Sequence, residues 1–240
     1  MPGFPRGVVD GEGRRAVVHD RGGTLIALDP ATGAVRWRHG SGLRPCALLG
    51  GGGAGAGVVV ALRIEASRAP RVVVLDAGTG EERWTSPEVV LPTWVRPALD
   101  DSPGFTVDTE EEGDDRLVIR WSARSWYAGG ASPSPRAAAE QAHEAYGALR
   151  VDLSGDPPSV EPLTESADRP PSRPAPAPAP APDVLEYAQV GELRVESVVR
   201  TGSGGEAALL LRAVDPATAS PVWEMVLDRT VESRARRFRP

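Results

Sequence analysis

The sequence predicts an all-β chain built from repeats, and three observations lead to that prediction. An apolar run, an aspartate turn and a tryptophan occur in the same order at Leu25–Trp37, Val72–Trp84 and Leu210–Trp223. The aspartate and the tryptophan are eight residues apart in each copy. The apolar runs show no polar alternation, which is typical of strands buried on both faces. Recurrence at a fixed internal spacing indicates a repeat architecture rather than a single motif.

Each copy predicts a strand, a tight turn and a second strand. In the first copy, Asp29 can accept backbone N–H groups two residues ahead, and Gly33 can adopt the positive φ that the turn needs. Trp37 then falls on a defined face of the second strand. A large aromatic in that place is best explained as packing between stacked sheets, where it buries roughly 150–250 Å².

The phrase Leu-x-Ala-Leu-Asp-x-x-Thr-Gly-x-x-x-Trp resembles the quinoprotein-like (PQQ-binding-like) β-propeller repeat. The resemblance implies that each repeat is one four-stranded blade, and that its tryptophan docks against the neighbouring blade. The third copy has Ala219 at the glycine position, and a fourth, more diverged copy is Leu149–Gly155, with Val160 at the tryptophan position. The residues that carry the motif are Asp29, Thr32, Gly33, Trp37, Asp76, Thr79, Gly80, Trp84, Asp215, Thr218 and Trp223.

The resemblance therefore predicts one β-propeller-like domain over residues 1–240, with about four four-stranded antiparallel blades in a small, partial or open ring. The blades are expected at residues 6–39, 43–86, 94–163 and 184–228. In the last blade, strands are predicted near Leu193–Arg200, Ala207–Val214 and Val222–Leu227. Residues 165–183 are rich in Ala-Pro pairs, which favour polyproline II and predict a semi-rigid spacer; a Pro-x-x-Pro ligand is the alternative.

The third blade is longer than the others and is predicted to hold one loop-helix insertion at residues 125–147. The acidic run Asp108–Asp115 predicts a solvated turn. Pro135–Tyr146 has helical composition, and Gly147 can end that helix. Trp126 and Tyr127 lie at the start of the insertion and are the candidates for partner contact; the alternative is that they pack the insertion onto the sheet.

Composition argues against several classes of function. The formal charge of the chain is −6 and all 27 basic residues are arginine, so neither nucleic acid binding nor a catalytic lysine is expected. Cys46 is the single cysteine and lies in an apolar run, which predicts a buried, inert thiol. The three histidines share no metal-ligand spacing. With no signal-peptide pattern and no apolar run of spanning length, we expect a cytoplasmic protein without membrane contact.

The quinone-dependent alcohol dehydrogenases that this repeat resembles use a vicinal cysteine pair and a calcium held partly by asparagine. This chain has one cysteine and no asparagine. We therefore expect no catalytic residues, no metal and no cofactor, and a non-catalytic scaffold that mediates protein–protein interaction. A small-ligand or residual quinone-binding module is the alternative. The blade count also leaves open a homodimer in which two copies form one eight-bladed ring.

Overall fold

The computed structural model describes ten stretches of the chain: residues 7–10, 12–20, 22–50, 57–64, 70–89, 105–113, 115–125, 143–163, 183–202 and 207–231. Within these stretches the chain forms four antiparallel sheets, and each sheet consists of four strands that are consecutive in sequence. No helix occurs in the described stretches. This arrangement confirms the predicted all-β class with four four-stranded blades.

Blades 1 and 2 come from the first 85 residues, and their central strands are the shortest of the four sheets. Blade 1 contains β1 (Gly7–Val9), β2 (Ala16–His19), β3 (Leu25–Leu28) and β4 (Val35–His39). Blade 2 contains β5 (Leu43–Leu49), β6 (Val58–Arg63), β7 (Arg71–Asp76) and β8 (Glu82–Thr85). Strands β2, β3 and β5 are buried along their whole length. The apolar run of β3 predicts this burial, whereas β2 ends at His19 and β5 contains Arg44.

Blades 3 and 4 have longer strands. Blade 3 contains β9 (Phe105–Glu111), β10 (Arg116–Ser125), β11 (His143–Asp152) and β12 (Ser159–Leu163). Blade 4 contains β13 (Val184–Val190), β14 (Leu193–Thr201), β15 (Ala207–Val214) and β16 (Pro221–Val231). In each blade the first strand in sequence is one edge of the sheet and the fourth strand is the other edge.

Apolar clusters join the blades in a fixed order. One cluster combines Val17 and Leu25 of blade 1 with Val59 and Val73 of blade 2. Two further clusters likewise take side chains from two blades each. Blades 2 and 3 share Cys46, Val60, Leu117, Ile119 and Val151. Blades 4 and 1 share Ala16, Ile26, Leu28, Leu209 and Leu211. The described residues therefore connect the blades in the order 4, 1, 2, 3.

Some sequence-based predictions were wrong. The predicted helix over Pro135–Tyr146 is contradicted at its end, because His143–Tyr146 begins strand β11 and Gly147 lies inside that strand. Residues 126–142 lie outside the described residues. Part of the acidic run is also strand rather than turn, since β9 continues to Glu111. Strand β13 was not predicted, because Glu186, Tyr187 and Gln189 give it little apolar character.

The blade turns fall into two sets at opposite ends of the strands. The aspartate turns connect the third and fourth strands of each sheet and define what we call the motif face. The connections between the second and third strands lie at the other end, because antiparallel strands alternate in direction. At this opposite face Gly42 N donates to Gly22 O (2.9 Å) and Ile64 N donates to Gly42 O (2.7 Å), which ties the first two blades together.

The central hairpin of blade 3 projects from the opposite face. Strands β7 and β11 both end at the aspartate of their turn, but β7 has 6 residues whereas β11 has 10. The four additional residues, His143–Tyr146, pair with Ser122–Ser125. At about 3.3 Å per residue, they carry the hairpin roughly 13 Å beyond the equivalent point of blade 2.

Candidate interaction sites: the indole seats and the blade 3 insertion

The aspartate turns of blades 1 and 2 have nearly the same hydrogen bonds. Asp76 Oδ1 accepts the backbone N–H groups of Gly78 (2.7 Å) and Thr79 (2.8 Å). The Oγ1 atom of Thr79 accepts from Glu81 N at 3.2 Å, and Gly80 N donates to Asp76 O at 2.8 Å. In the first blade, Asp29, Thr32 and Gly33 occupy the same roles. The side chain of each aspartate thus fixes its own turn, as expected for an Asx-type turn.

These hydrogen bonds lower the pKa of the turn carboxylates. The guanidinium of Arg36, 3.0 Å from Asp29 Oδ2, is the main cause of the lowered pKa of Asp29. For Asp76, the backbone N–H of Thr79 is the largest cause of the lowered pKa, and Arg83 adds to it. The pKa of Asp215 is lowered chiefly by the backbone N–H of Ala217. Hydrogen bonds from the turns, with Arg36 and Arg83 at Asp29 and Asp76, thus favour the charged form of all three carboxylates.

Trp37 of blade 1 covers the turn of blade 2. Its indole Nε1–H donates to Ala77 O at 3.0 Å, and the indole is buried. Gly80 lies directly beneath the ring: its φ is +74°, and a Cβ atom there would come within 2.7 Å of Trp37 Cδ2. Glycine is needed here for two reasons, since the backbone is left-handed and the indole leaves no space for a side chain.

Trp223 of blade 4 covers the turn of blade 1 in the same way. Its Nε1–H donates to Pro30 O at 2.7 Å, across 193 residues of sequence. Gly33, with φ of +71°, lies under this ring, and a Cβ there would again be 2.7 Å from the indole. We call the residues one and four positions after the turn aspartate, such as Pro30 and Gly33, the indole seat of a blade.

Trp84, the motif tryptophan of blade 2, packs against blade 3, whose turn differs from those of blades 1 and 2. Trp84 is half-buried against the cluster between blades 2 and 3, together with Leu153 and Val160. The turn of blade 3, Asp152–Pro158, has no threonine and no glycine at the seat position. Asp152 Oδ1 instead accepts from Ser154 N at 2.9 Å. The seat of blade 3 is therefore built from a different turn.

The seat of blade 4 is exposed. Asp215 and Thr218 form the usual turn, with Ala217 N donating to Asp215 Oδ1 at 2.8 Å and Ser220 N donating to Thr218 Oγ1 at 3.3 Å. The seat residues Pro216 and Ala219 are both exposed, whereas Ala77 and Gly80 are buried in blade 2. Ala219 also adopts φ of +56°, so its methyl group occupies the place that glycine leaves free elsewhere.

The tryptophan position of blade 3 also differs from the sequence prediction. Val160 pairs with Val151 and faces blade 2, where it joins the apolar cluster. In blades 1, 2 and 4, the motif tryptophan pairs with the residue two positions before the aspartate. In blade 3 that residue is Arg150, and its partner is Glu161. The side of blade 3 that faces away from blade 2 therefore presents an exposed glutamate in place of an indole.

Blade 4 carries charged and apolar side chains on the face that points away from blade 1. Glu196 is fully buried and accepts from Arg194 Nε (2.6 Å) and Arg212 Nε (2.8 Å). Around this ion cluster lie three exposed apolar side chains: Tyr187, Val222 and Val226. Strand alternation places all of them on one surface, because Tyr187 pairs with Glu196 and the two valines flank Glu224 at even spacing.

The predicted interaction candidates Trp126 and Tyr127 lie outside the described residues. The structure does describe where their insertion leaves and rejoins the sheet. Ser125 and His143 are direct partners in the β10–β11 ladder, so the insertion is a 17-residue connection between paired positions at the opposite face. Trp126 and Tyr127 remain predictions for partner contact.

Cys46, the single cysteine of the sequence, lies in the apolar cluster between blades 2 and 3. Cys46 is buried, and desolvation raises the pKa of its thiol to about 12. No group of three or more His, Cys, Asp or Glu residues in the described part of the chain is placed to hold a metal ion. The same stretches contain no helix long and apolar enough to cross a membrane.

Four-stranded sheets joined in sequence order by indoles and apolar clusters define a β-propeller type of protein. A PQQ-repeat family model described as "Outer membrane protein assembly factor BamB" matches residues 21–90, which hold the turns and tryptophans of blades 1 and 2. This match confirms the predicted resemblance to the PQQ-like repeat over that stretch. No curated protein sequence matches the chain.

Among solved structures, the chain is similar to BamB from Moraxella catarrhalis, with 16% identity and a TM-score of 0.35 over 91% of this chain and 62% of that one. A Glu150Asp mutant of Synechocystis apocarotenoid oxygenase gives 12% identity and a TM-score of 0.34 over 92% and 48%. The WD40 domain of SCAP from fission yeast gives 8% and 0.32 over 96% and 46%. This chain thus spans less than two thirds of each of these structures.

Proposed function

We propose that this chain is a non-catalytic β-propeller scaffold that presents the blade 3 insertion to a protein partner in the cytoplasm. The observation that carries the proposal is the projecting β10–β11 hairpin, which is paired over its full ten residues from Arg116 to Ser125. A long paired hairpin on a packed sheet holds a variable connection in a fixed place, which is how rigid folds commonly present binding loops.

The frame beneath the hairpin supports this role. The base of the hairpin is anchored by Leu117, Ile119 and Val151, which pack into the cluster shared with blade 2. A separate cluster on the other face of blade 2 packs against blade 1 and includes Trp37. The strand ends that flank the insertion, Ser125 and His143, therefore belong to a sheet that packs on blade 2, which in turn packs on blade 1.

The same features argue for a binding role rather than a catalytic one. The single cysteine is buried with a raised pKa, which makes it a poor nucleophile. The carboxylates of Asp29 and Asp76 accept backbone N–H groups of their own turns. They also form ion pairs with Arg36 and Arg83, respectively. A quinone-binding module, the alternative from the resemblance, has no observation in its favour among the described residues.

The insertion can be removed without opening the sheet. Because Ser125 and His143 are paired, replacing residues 126–142 by Asn-Gly closes the hairpin with a two-residue turn. In a pull-down from extracts of the source cell, we expect the full chain to retain a specific protein and the shortened chain to lose it. Trp126→Ala with Tyr127→Ala should reduce retention in the same direction.

Tyr187→Ala is the matched control, because it removes an exposed aromatic from blade 4 and leaves the insertion intact. Retention of every bound protein by the shortened chain would refute the role of the insertion. A thermal-shift measurement with pyrroloquinoline quinone and Ca²⁺ tests the alternative, since a ligand that binds only the folded state raises the melting temperature. We expect no shift; a saturable rise would favour the ligand-binding module instead.

A further inference from the structure

The side of blade 4 that points away from blade 1 differs from the equivalent side of the other blades. In blades 1, 2 and 3, the residue three positions before the turn aspartate is apolar and buried, and it faces the preceding blade in the order 4, 1, 2, 3. Its partner on the second strand is also apolar. These pairs are Ile26–Val18 in blade 1, Val73–Ala61 in blade 2 and Leu149–Ile119 in blade 3. Blade 4 has Arg212 and Glu196 in the same two places.

Glu196 forms its ion pairs within blade 4. Its side chain is fully buried, and its two carboxylate oxygens accept Nε–H groups from Arg194 (2.6 Å) and Arg212 (2.8 Å). An unpaired carboxylate at this depth would be strongly unfavourable, but both arginines belong to the same blade. The central charged group on this side of blade 4 therefore needs no partner from a neighbouring blade.

The side of blade 3 that points away from blade 2 is likewise paired within its own sheet. Three arginines on this side form ion pairs with carboxylates of blade 3. The pairs are Arg116–Asp152 (2.9 Å), Arg150–Glu112 (3.2 Å) and Arg120–Glu110. Blade 3 also has Glu161 where the other blades have the motif tryptophan. Blade 4 has Ala219 where blades 1 and 2 have the glycine that lies under the indole.

Both of these sides are nevertheless covered at their centres within the single chain. Val118 of blade 3 and Val198 and Leu210 of blade 4 are at most 2% exposed. They lie on the sides in question, because strand alternation turns them away from Ile119 and Leu209, which pack toward blades 2 and 1. Four blades are enough for a propeller ring, and blades 3 and 4 are the remaining pair of neighbours.

We propose that blades 3 and 4 of one chain cover each other, and that this junction opens and recloses while the other three junctions stay closed. Separation of blades 3 and 4 breaks none of the ion pairs described above. Separation of blades 4 and 1 would instead break the hydrogen bond from Trp223 to Pro30 O and uncover a cluster of seven buried residues. The 20-residue connection between Leu163 and Val184 gives blades 3 and 4 enough chain to part.

Cross-linking tests whether blades 3 and 4 of one chain meet. At the indole junctions the tryptophan contacts the residue after the turn aspartate, as Trp37 contacts Ala77. The equivalent residues of blades 3 and 4 are Glu161 and Pro216, and both are exposed. In a Cys46→Ala background, the variant Glu161→Cys/Pro216→Cys treated with a short bismaleimide should give an internally linked monomer. A linked dimer, or no linked product, would overturn the proposal.

Thiol labelling tests whether this junction opens before the others. In the Cys46→Ala background, Val198→Cys and Val18→Cys each place a buried thiol on the second strand of a blade. Val198 lies on the side of blade 4 away from blade 1, whereas Val18 packs in the junction that Trp223 covers. In native buffer we expect a maleimide to modify Val198→Cys at least about 10-fold faster, because local opening needs less free energy than global unfolding. Equal rates would refute a separate opening, since global unfolding exposes both thiols alike.

Restoring the indole contact should hold the junction closed. Added to Val198→Cys, the pair Glu161→Trp and Ala219→Gly supplies an indole and a glycine beneath it, and should slow the labelling by about 5-fold. Glu161→Gln with Ala219→Gly is the matched control, because it removes the charge and provides the glycine without the indole. This control should label at nearly the rate of Val198→Cys alone. No difference between the tryptophan and glutamine variants would contradict the proposal.

This inference goes beyond the proposed function, since it rests on the blade junctions and not on the insertion. The shortened chain with Asn-Gly in place of residues 126–142 should keep the same ratio of labelling rates, and the internally linked variant should still retain the partner. Each proposal can therefore fail without the other.

Discussion

Blades 2 and 4 carry the same aspartate turn but use it differently. In blade 2 the turn is the receiving half of an interface: Ala77 and Gly80 are buried under the indole of Trp37. In blade 4 the turn has the same hydrogen bonds, yet Pro216 and Ala219 are exposed. The difference teaches that the turn and the interface are separable, because the aspartate maintains the bend whether or not a neighbour covers it.

The largest expected effect comes from removing the indole between blades 1 and 2. Trp37→Ala should lower the free energy of unfolding by about 3–5 kcal/mol, because it deletes a buried aromatic and leaves a cavity. Trp37→Phe should cost less, since it keeps most of the apolar contact but loses the hydrogen bond to Ala77 O.

Urea unfolding followed by circular dichroism measures both variants. Val222→Ala, at an exposed valine of blade 4, is the matched control and should stay within about 0.5 kcal/mol of the parent. Equal losses for Trp37→Ala and Val222→Ala would mean that the indole does not fasten the two blades.

Gly80→Ala should have the next largest effect, about 2–3 kcal/mol of destabilisation. The substitution adds a strained side chain at φ of +74° and forces a methyl group to within 2.7 Å of the Trp37 ring. Combining Gly80→Ala with Trp37→Ala separates the two causes, because only the collision depends on the indole. A double-mutant cycle with no coupling between the two positions would contradict the packing of the ring on the glycine.

Lowering the pH tests the aspartate turns of blades 1, 2 and 4 together. A carboxylate whose folded pKa lies below its unfolded value contributes stability above the unfolded pKa, and loses it as the pH falls through the folded pKa. The pKa values of Asp29, Asp76 and Asp215 all lie below the ordinary value of 3.8 for an aspartate. We therefore expect that these three groups do not change the melting temperature above about pH 5. At more acid pH, their protonation should lower the melting temperature progressively.

Asp76→Asn is the control for the acid effect, since asparagine retains an oxygen that can accept the turn N–H groups but does not titrate. The variant should lose less than about 1 kcal/mol at pH 7, because Asp76 and Arg83 are partly in solvent. Its pH dependence should be shallower than that of the parent. An unchanged slope would show that Asp76 does not contribute to the acid sensitivity.

The smallest effect, and the one of opposite sign, is expected for Ala219→Gly. Because Ala219 holds φ of +56°, glycine should relieve backbone strain and outweigh the entropy that it adds to the unfolded chain. The expected gain is about 0.5 kcal/mol in the free energy of unfolding. A much larger cost for Gly80→Ala than the gain from Ala219→Gly would indicate that an indole covers the first position and not the second, because backbone strain acts at both. A loss of stability in Ala219→Gly would contradict this assignment.

The sequence predicts the parts of the fold that local chemistry determines. Asp29 and Gly33 specify a turn because side-chain acceptance and positive φ are properties of those residues. The unbroken apolar run before Asp76 predicts a strand buried on both faces, and β7 is such a strand. The register that places Trp37 opposite Ala27 depends on a β-bulge, which sequence spacing alone does not reveal.

The errors occur where tertiary pairing overrides local preference. The alanine and glutamate of His143–Tyr146 favour a helix in isolation, but pairing with Ser122–Ser125 makes the segment a strand. Strand β13 has polar residues on an edge of its sheet, so no apolar pattern marks it. The exposed seat of blade 4 could not be predicted either, because it depends on which blade lies beside it.

Burial of the Cys46 thiol between blades 2 and 3 has a practical consequence. Its Sγ lies within the cluster that includes Val60, Leu117 and Ile119, and its raised pKa disfavours the reactive thiolate. Alkylation must therefore await separation of those two blades, and its rate in native buffer measures how often they come apart. The chain thus contains a natural kinetic reporter that requires no label, placed at the base of the hairpin that carries the insertion.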